Sequence, residues 1–445
     1  MQSSWFDRND LRSRIFASTP VFLMVVCCCA LLLRLLVVLL VAHDVAAPSL
    51  DHNDFGWEMG WTARSIALGH GFSSPFLPIT GPTALVPPLY PYVVAGMFRL
   101  FGIYSYGAAL AVLTFNSICS ALTCLPIYGL LRNARGERLG RLAALAWAIY
   151  PLAIYFAADR VWDYALTALL FTCCLLLAQK LHLRSTLGWA AFGALYGMAA
   201  LCNPSIVSML PFLLILALVK VWRVRGAWLG KGLVASLAFI VVCTPWTVRN
   251  HQTMHADFFV RDGFWIEFNG GNNGDTSESN SPKTHPASNA AELERYVSQG
   301  EIAYIAEKRK MSIDFVDHHR WFFVGSCAHR IVRFWTGYWS FRPGYLKYEP
   351  MDVPNFFFCL FLLFFLGRGL FRWGRNDPGA VLPYLLCVLI FPIPYYLTHS
   401  SMDYRQPLEP VIILLVTVGL FGSRSDKQAP GAEEEHTPKS LLQPA

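Results

Sequence analysis

The sequence predicts an all-α polytopic membrane protein with about ten transmembrane helices, juxtamembrane helices at the outer face and a small helical and loop outer region. Hydrophobic residues make up 55% of the chain and charged residues only 15%, whereas soluble domains carry about 25% charged residues. The mean hydropathy is +0.40, and apolar runs reach the roughly 20 residues that a helix needs to cross a bilayer. The net charge of +7 comes from loops between spans, so it indicates no nucleic-acid partner.

The predicted spans follow from these runs. The first run comes after three arginines and is too long for a signal-peptide core, so we expect it to be retained. The last residues are polar and contain prolines, which is typical of disorder. The ten predicted spans are 20–42, 106–131, 140–158, 163–181, 187–202, 204–219, 231–248, 356–373, 379–398 and 407–422.

The short basic loops assign a side of the membrane to every connection. Loops rich in Lys and Arg stay in the cytoplasm, which puts both termini in the cytoplasm and the long loops outside the inner (cytoplasmic) membrane. The predicted segments are a cytoplasmic N-terminus (1–19), a bundle (20–248) with a first outer loop (43–105), an outer loop region (249–355), C-terminal transmembrane helices (356–422) and a disordered cytoplasmic tail (423–445).

The outer loops contain two predicted helical regions. Residues 87–102 are apolar but short and begin with two prolines, so we expect a helix at the outer interface. The stretch from Leu293 to Phe315 has helical spacing of apolar residues with a charged opposite face. Of the twelve cysteines, eleven lie in apolar runs and only Cys327 lies in the long outer loop, which argues against a disulfide framework.

The stretch "SLDHNDFGWEMGWTARSIALGHGF" carries acids where the first span ends. Its pattern predicts a short helix from Trp57 to Leu68, with Glu58 in the first turn and Asp54 just before it. A carboxylate near an apolar interface tends to a raised pKa and suits a general base. Alternatively, Asp54 is an N-cap and Glu58 a partner of the helix dipole.

Two arginines at span ends are candidate phosphate ligands. "CTPWTVRN" places Arg249 and Asn250 just outside a span, and "SSMDYRQPLEP" places Arg405 at the outer end of the last one. Guanidinium groups bind phosphate well. The alternatives are an ordinary snorkelling span end for Arg249 and a simple ion pair with Asp403 for Arg405.

Further candidates lie in "FWIEFNGGNNGD" and "ADRVWDYA". Glu267 and Asn272 flank a Gly/Asn-rich turn whose amides suit sugar hydroxyls or a phosphate, with Asp275 or His285 as possible additions. Asp163, at the outer end of two spans, is a further substrate-binding candidate. The alternatives are an ordinary turn and an ion pair between Asp163 and Arg160.

Two other ionisable features are not assigned to the site. Arg34 lies within the first span, where a charge is often functional, but an arginine bonded to carbonyls inside a bundle is also a common structural feature. Asp51, His52 and Asp54 could ligate a metal, but their spacing matches no strong template. We therefore predict no metal and no cofactor, and a divalent ion remains an unsupported alternative.

The order of motifs resembles the C-type glycosyltransferases, the superfamily of protein O-mannosyltransferases and lipid A aminoarabinose transferases. The motifs are the acidic first outer loop, "ARSIALGHGFSSPF", "GPTALVPPLYPYVVAGMFRLFG", "ALCNPS", "PWTVRN" and "YRQPLEP". The similarity runs from about residue 20 to 422 and is greatest to bacterial members of glycosyltransferase family 39.

This resemblance implies an enzyme that takes a sugar from a polyprenyl-phosphate carrier at the extracytoplasmic face. The essential acid of the first outer loop maps to Asp54 or Glu58, and we favour Glu58. Val86 stands where the aminoarabinose transferases have a phosphate-binding lysine, which leaves Arg249 and Arg405 as the expected phosphate ligands. The partners implied are the lipid-linked sugar donor, membrane lipids and an acceptor that the sequence does not identify.

Two other functions are compatible with the sequence. A transporter or flippase of a lipid-linked or polar solute would use broken helices with polar groups at mid-membrane, and Pro204, Pro211 and Pro383 do interrupt spans. A structural protein without turnover is the third interpretation. Because polar residues gather in the predicted outer loops, we favour the transferase.

Overall fold

The computed structural model describes residues 18–47, 53–77, 79–274 and 282–423. Regular structure in these residues is helical, and the β feature found there is an isolated antiparallel bridge between Ser73 and Pro82. The α-helices are Thr19–Val45, Trp57–Ala67, Leu89–Phe101, Tyr106–Leu122, Cys124–Arg135, Glu137–Ala148, Pro151–Ala158, Tyr164–Gln179, Thr186–Cys202, Leu210–Arg223, Trp228–Met254, Phe264–Gly271, Ala290–Gln299, Glu301–His318, Arg320–Thr336, Pro343–Leu346, Asp352–Asn376, Pro378–Ile390, Ile393–Leu397 and Glu409–Phe421. Short 3₁₀ helices are Asn53–Phe55, Leu181–Leu183, Pro204–Met209, Pro282–Thr284 and Asp403–Leu408.

Each of the ten predicted spans coincides with helix, which confirms a polytopic helical membrane protein. Among the described residues, seven helical segments are long and apolar enough to cross alone. An eighth span forms if the pair Glu137–Ala148 and Pro151–Ala158, bent by 47°, crosses as a unit. The other two predicted spans are the shorter apolar helices Tyr164–Gln179 and Thr186–Cys202, so the count of ten remains a prediction. The seven segments are Thr19–Val45, Tyr106–Arg135, Pro204–Arg223, Trp228–Met254, Asp352–Asn376, Pro378–Leu397 and Asp403–Phe421.

Arg34 is a structural residue of the bundle. Its side chain is fully buried, and it donates to Ser120 Oγ at 2.9 Å and to the carbonyls of Ala30 and Ala148 at 2.9 and 3.0 Å. The carbonyl of Trp147 accepts a further bond at 3.3 Å. This is the carbonyl-bonded arginine that the sequence allowed, and it ties the first span to its neighbours.

The described parts of the connections 46–105 and 255–351 meet the turn 398–402 at one end of the bundle, called here the loop end. The predicted juxtamembrane helix is Leu89–Phe101, and Arg99 on it donates to the carbonyl of Ile66 at 2.8 Å. The predicted amphipathic stretch forms two helices rather than one, because Gly300 turns the chain with a φ of +77°.

The charged face of this stretch is partly buried between its two helices. Lys308 is 1% exposed, and its Nζ lies 2.7 Å from Glu292 Oε2 on the preceding helix. Tyr304 donates to the same carboxylate at 2.6 Å. Charged residues that the spacing assigned to solvent therefore join the two helices.

Glu301 links the same helices to the first loop. Its buried carboxylate accepts bonds from the hydroxyls of Thr83 and Tyr296 and, at 2.6 Å, from the backbone N–H of Ala84. The backbone N–H of Asp262 in turn donates to the carbonyl of Ala84 at 3.2 Å. Residues more than 200 positions apart are thus held together at the loop end.

Candidate active site

The loop end encloses a cavity of about 470 Å³. The first loop, the long loop and the last turn all contribute to its wall. Its charged and histidine side chains are Asp54, Glu58, Arg160, Asp163, Arg261, Glu267, His285 and Asp403, and its larger aromatic ones are Trp57, Trp162, Tyr164, Tyr395 and Tyr404.

The first loop reaches the cavity through a tight turn at Gly56. Gly56 has a φ of +89°, and a Cβ added there would lie 2.3 Å from the carbonyl oxygen of Val161. Only glycine combines this backbone conformation with so close an approach. Asp54 lies in the 3₁₀ turn before Gly56, which is itself the N-cap of the helix, so the interpretation of Asp54 as N-cap is wrong.

Replacing Gly56 with alanine is expected to lower the unfolding temperature of the protein. The left-handed conformation alone costs a non-glycine residue roughly 1–2 kcal/mol, and the contact with Val161 adds to that. Gly69→Ala is the matched control, because Gly69 has a φ of +87° but no atom within 4 Å of an added Cβ. Thermal unfolding in detergent should show the larger loss for Gly56→Ala; equal losses would contradict the close packing.

Glu58 lies in the first turn of Trp57–Ala67 and faces the cavity. Its side chain is 12% exposed, and Oε1 lies 3.6 Å from Nε2 of His285. Burial raises the pKa of the Glu58 carboxyl above its ordinary value, and the nearby His285 opposes that rise. Thr62 and Ser65, which the helical spacing put on the same face, are buried with it.

Arg261 and Glu267 are the residues of the long loop that line the same cavity as Glu58. Nη2 of Arg261 lies 3.4 Å from Glu267 Oε1, and Nδ1 of His399 lies 3.6 Å from Glu267 Oε2. Burial alone would raise the pKa of Glu267, but His399, Arg261 and His285 together lower it. Nε of Arg261 is buried and has no hydrogen-bond partner among the described residues, so it can donate to a bound anion.

Asp163 and Arg160 lie together in the wall but do not form the ion pair that was the alternative interpretation. Oδ2 of Asp163 accepts bonds from Thr167 and Asn203 at 3.0 Å each, while Oδ1 is buried with no partner in the described part of the chain. Arg160 instead lies 3.4 Å from Asp159 and donates to a tyrosine hydroxyl at 2.7 Å. Asp163 thus keeps a buried carboxylate oxygen without a described partner, and the half-exposed guanidinium of Arg160 belongs to a second residue of the cavity wall.

Arg249 and Asn250 do not line the cavity, which corrects the expected position of the first arginine. Arg249 donates to the carbonyls of Phe72 and Thr83 at 2.6 and 2.7 Å, and its guanidinium stacks on Phe72 and Trp246. Asn250 is buried and accepts a bond from Arg249. Arg249 therefore holds the first loop against its own span, Trp228–Met254, whereas Asn250 donates to the carbonyl of Val260 at 3.5 Å.

Arg405 and Asn272 are also structural. Arg405 is 2% exposed and pairs with Glu409, not with Asp403; it also donates to backbone carbonyls of the helix Arg320–Thr336. Asn272 is buried, donates to two backbone carbonyls and accepts a bond from an arginine at 3.0 Å. Of the eight residues predicted for the site, Asp54, Glu58, Asp163 and Glu267 line the cavity.

Sequence reasoning missed Arg261 as a site residue. It follows a short loop in "FFVRDGFWIE" and has no span end or turn motif to mark it. Tyr404, Asn203 and Asp403 were also missed as site residues, although each lies within a motif that was singled out. No group of three His, Cys, Asp or Glu suited to a metal occurs in the described residues, and Asp51, His52 and Asp275 lie outside them.

Comparison with known proteins gives one family match. Residues 85–247 match the family model described as dolichyl-phosphate-mannose-protein mannosyltransferase. This match covers less than half of the chain; it includes Arg160, Asp163 and Asn203 but not Asp54, Glu58 or Arg261. No curated protein sequence matches the chain.

Solved membrane enzymes have a similar fold. The archaeal oligosaccharyltransferase AglB from Archaeoglobus fulgidus, in complex with an inhibitory peptide and a dolichol-phosphate, has a TM-score of 0.50 and 14% identity over 89% of this chain and 50% of that one. ArnT from Cupriavidus metallidurans, bound to undecaprenyl phosphate, has a TM-score of 0.43 and 14% identity over 90% of this chain and 78% of that one. The chain thus spans about half the length of the oligosaccharyltransferase. At this identity the similarity to AglB establishes a shared fold.

Proposed function

We propose that this chain, a relative of the C-type glycosyltransferases, transfers a sugar from a polyprenyl-phosphate carrier to an acceptor. One observation supports the proposal most: a single cavity at the loop end combines acids with arginines that retain free donor capacity. The relatives suggest the donor class, because the AglB and ArnT structures hold dolichol-phosphate and undecaprenyl phosphate.

The phosphate of the donor is held by Arg261, with Arg160 as the second cation. Among the described residues, Nε of Arg261 is buried without a partner, and a 3.4 Å contact to Glu267 engages its Nη2. Arg160 is about half exposed at the same cavity. Arginine suits this role because its planar donor fork matches phosphate oxygens. These two residues replace Arg249 and Arg405 in the proposed mechanism.

Glu58 acts as the general base, with Asp54 as the alternative. A buried carboxylate with a raised pKa is a better proton acceptor than an ordinary one. Asp163 and Glu267 accept hydrogen bonds from hydroxyl groups of the sugar or the acceptor, since each has an oxygen at the cavity. Trp57, 39% exposed at the rim, offers an apolar face to a sugar ring.

The reaction is a direct displacement with inversion. The acceptor hydroxyl or amine gives its proton to Glu58 and attacks the anomeric carbon from the side opposite the phosphate. The bond between that carbon and the phosphate oxygen breaks, and the polyprenyl phosphate leaves with the electron pair. A phosphate monoester has a second pKa of about 6, so it leaves without a proton donor, and Arg261 and Arg160 stabilise its growing charge.

The loop end faces the extracytoplasmic side of the inner membrane, with both termini in the cytoplasm. The support is the charge distribution along the chain: the opposite end carries Arg132, Arg135, Arg138 and Arg141 between two spans, and basic loops remain in the cytoplasm. Acceptors at this side are lipids, glycans or proteins of the cell envelope.

Replacing Arg261 with glutamine tests the proposal. With purified protein and a radiolabelled polyprenyl-phosphate sugar, we expect transfer to the acceptor fraction to fall by about two to three orders of magnitude, the range for removing one donor to a developing charge. The phosphate should also bind less tightly, so KM for the donor should rise. Arg320→Gln is the control, because Arg320 is 79% exposed and away from the cavity.

The outcomes separate the enzyme from its alternatives. Normal transfer by Arg261→Gln would refute Arg261 as the phosphate ligand. No transfer by the wild-type protein, together with movement of a labelled carrier across liposomes, would identify a flippase instead.

A further inference from the structure

A second large cavity, of about 460 Å³, lies at the end of the bundle opposite the loop end. Three spans finish around it: Tyr106–Arg135, Asp352–Asn376 and Asp403–Phe421. Because span ends lie at the level of the lipid headgroups, this cavity lies at the membrane surface. We call it the arginine cavity.

Four arginines line the arginine cavity: Arg135, Arg368, Arg372 and Arg375. Arg135 is 7% exposed, and its Nε is buried without a hydrogen-bond partner in the described residues. Arg372 is fixed by bonds to the carbonyls of Gly419 and Gly422 at 3.2 and 2.9 Å. The cavity therefore combines fixed guanidinium groups with an unused, buried donor.

No carboxylate lines the arginine cavity in the described part of the chain. Arginines in the last turn of a helix are favoured by the helix dipole. That effect explains arginines at separate helix ends, but four guanidinium groups around one space also repel each other. An anion in the cavity would remove this repulsion and satisfy the buried Nε.

We propose that the arginine cavity binds the phosphate of an anionic phospholipid headgroup. Basic pockets between spans on the cytoplasmic side are suited to such headgroups. The apolar wall supports a lipid rather than a free phosphate, because Phe371 lines the cavity and is 63% exposed, which offers a surface to an acyl chain. The proposal does not depend on the transferase activity.

The chain itself contains a competing anion. Glu433, Glu434 and Glu435 lie in the segment after Ser423, outside the described residues, and Ser423 is part of the cavity wall. We favour the lipid because the cavity lies at headgroup level beside an exposed apolar side chain. Occupation by these glutamates is one outcome of the test.

The test measures lipid binding to the full-length protein in zwitterionic detergent. Thermal unfolding and native mass spectrometry are followed with phosphatidylglycerol or cardiolipin, with phosphatidylcholine, and with inorganic phosphate. We expect the anionic lipids to raise the unfolding temperature of the wild type, since a ligand of the folded state stabilises it. Phosphatidylcholine and millimolar phosphate should have little effect.

The variant R368Q/R375Q should bind the anionic lipids at least tenfold more weakly. These two arginines are exposed and stack on phenylalanines of their own helix, so the variant leaves the backbone bonds of Arg135 and Arg372 in place. R223Q is the control, because Arg223 is exposed at a span end outside the cavity. If the double variant does not fold, R368Q alone should show a smaller loss.

Four results with the arginine variants and the control ligands would overturn the proposal, and a result with a variant of the tail would be a fifth. The first is unchanged binding of the anionic lipids by R368Q/R375Q, and the second is a loss of lipid binding in R223Q equal to that in R368Q/R375Q. The third is a rise in unfolding temperature with phosphatidylcholine equal to that with the anionic lipids. The fourth is the same rise with inorganic phosphate, which would identify a free-phosphate site.

The variant E433Q/E434Q/E435Q tests the tail. Lipid binding like that of the wild type supports the proposal, whereas binding tighter by tenfold or more would show that the tail fills the cavity and overturn it.

Discussion

The Glu58→Gln variant is expected to transfer sugar about 10²- to 10⁴-fold more slowly than the wild type, the range lost with a general base. Glutamine keeps the size of the side chain but cannot accept the proton of the acceptor. The loss should appear in kcat and in kcat/KM alike, because a proton transfer in the transition state is removed. The measurement is transfer from a radiolabelled polyprenyl-phosphate sugar by purified protein.

The pH dependence of the wild type gives a second check on Glu58. Because burial raises the pKa of Glu58, kcat/KM should fall on the acidic side at a higher pH than an ordinary glutamate would cause. His285 lowers that pKa, so His285→Gln should move the acidic limb to still higher pH. Asp54→Asn is the matched control: an intact rate there with a lost rate in Glu58→Gln assigns the base, and the reverse would assign it to Asp54.

The Arg405→Gln variant is expected to lose about 3–5 kcal/mol of folding free energy, the usual cost of removing one partner of a buried ion pair. Arg405 and Glu409 are 2% and 0% exposed, so glutamine would leave the Glu409 carboxylate buried without its cation. Tyr150 donates to the same carboxylate at 2.7 Å but carries no charge. Thermal or denaturant unfolding in detergent measures the loss.

A double variant separates this structural role from a role in phosphate binding. Arg405→Met/Glu409→Gln removes both charges and keeps an acceptor for Tyr150, so it should regain most of the stability, because a buried pair can often be replaced by neutral groups of similar volume. A folded Arg405→Gln protein with wild-type stability and a raised KM for the donor would contradict our assignment and restore Arg405 as a phosphate ligand.

The helices were predictable because their signals are local. A run of about 20 apolar residues implies a span wherever it occurs, and a short amphipathic pattern such as Trp57–Ala67 has its own period. The break at Gly300 was the main local feature that the pattern did not reveal. It needs a positive φ, and the apolar spacing continues through it.

The sequence did not indicate which arginines line the cavity, because the carbonyl groups that bind the other arginines are distant in sequence. Arg249 and Arg405 stand beside motifs, yet one bonds to carbonyls 166 and 177 residues away and the other to carbonyls 70 and 71 residues away. Arg261 stands in an unmarked loop and faces the cavity. Packing decides which guanidinium group bonds to the protein itself and which remains available to a ligand. Neither composition nor spacing indicates the outcome.

The carboxylate of Glu301 makes the long loop dependent on the rest of the molecule. It accepts bonds from the Thr83 hydroxyl and the Ala84 N–H of the first loop, so a fragment of residues 255–351 produced alone would lose two donors to this carboxylate. It would also uncover the apolar surface around Tyr296, on which Phe76 packs. We therefore expect that the fragment does not fold as an independent soluble domain. Structural work on this region, or the raising of antibodies against its folded form, requires the intact chain.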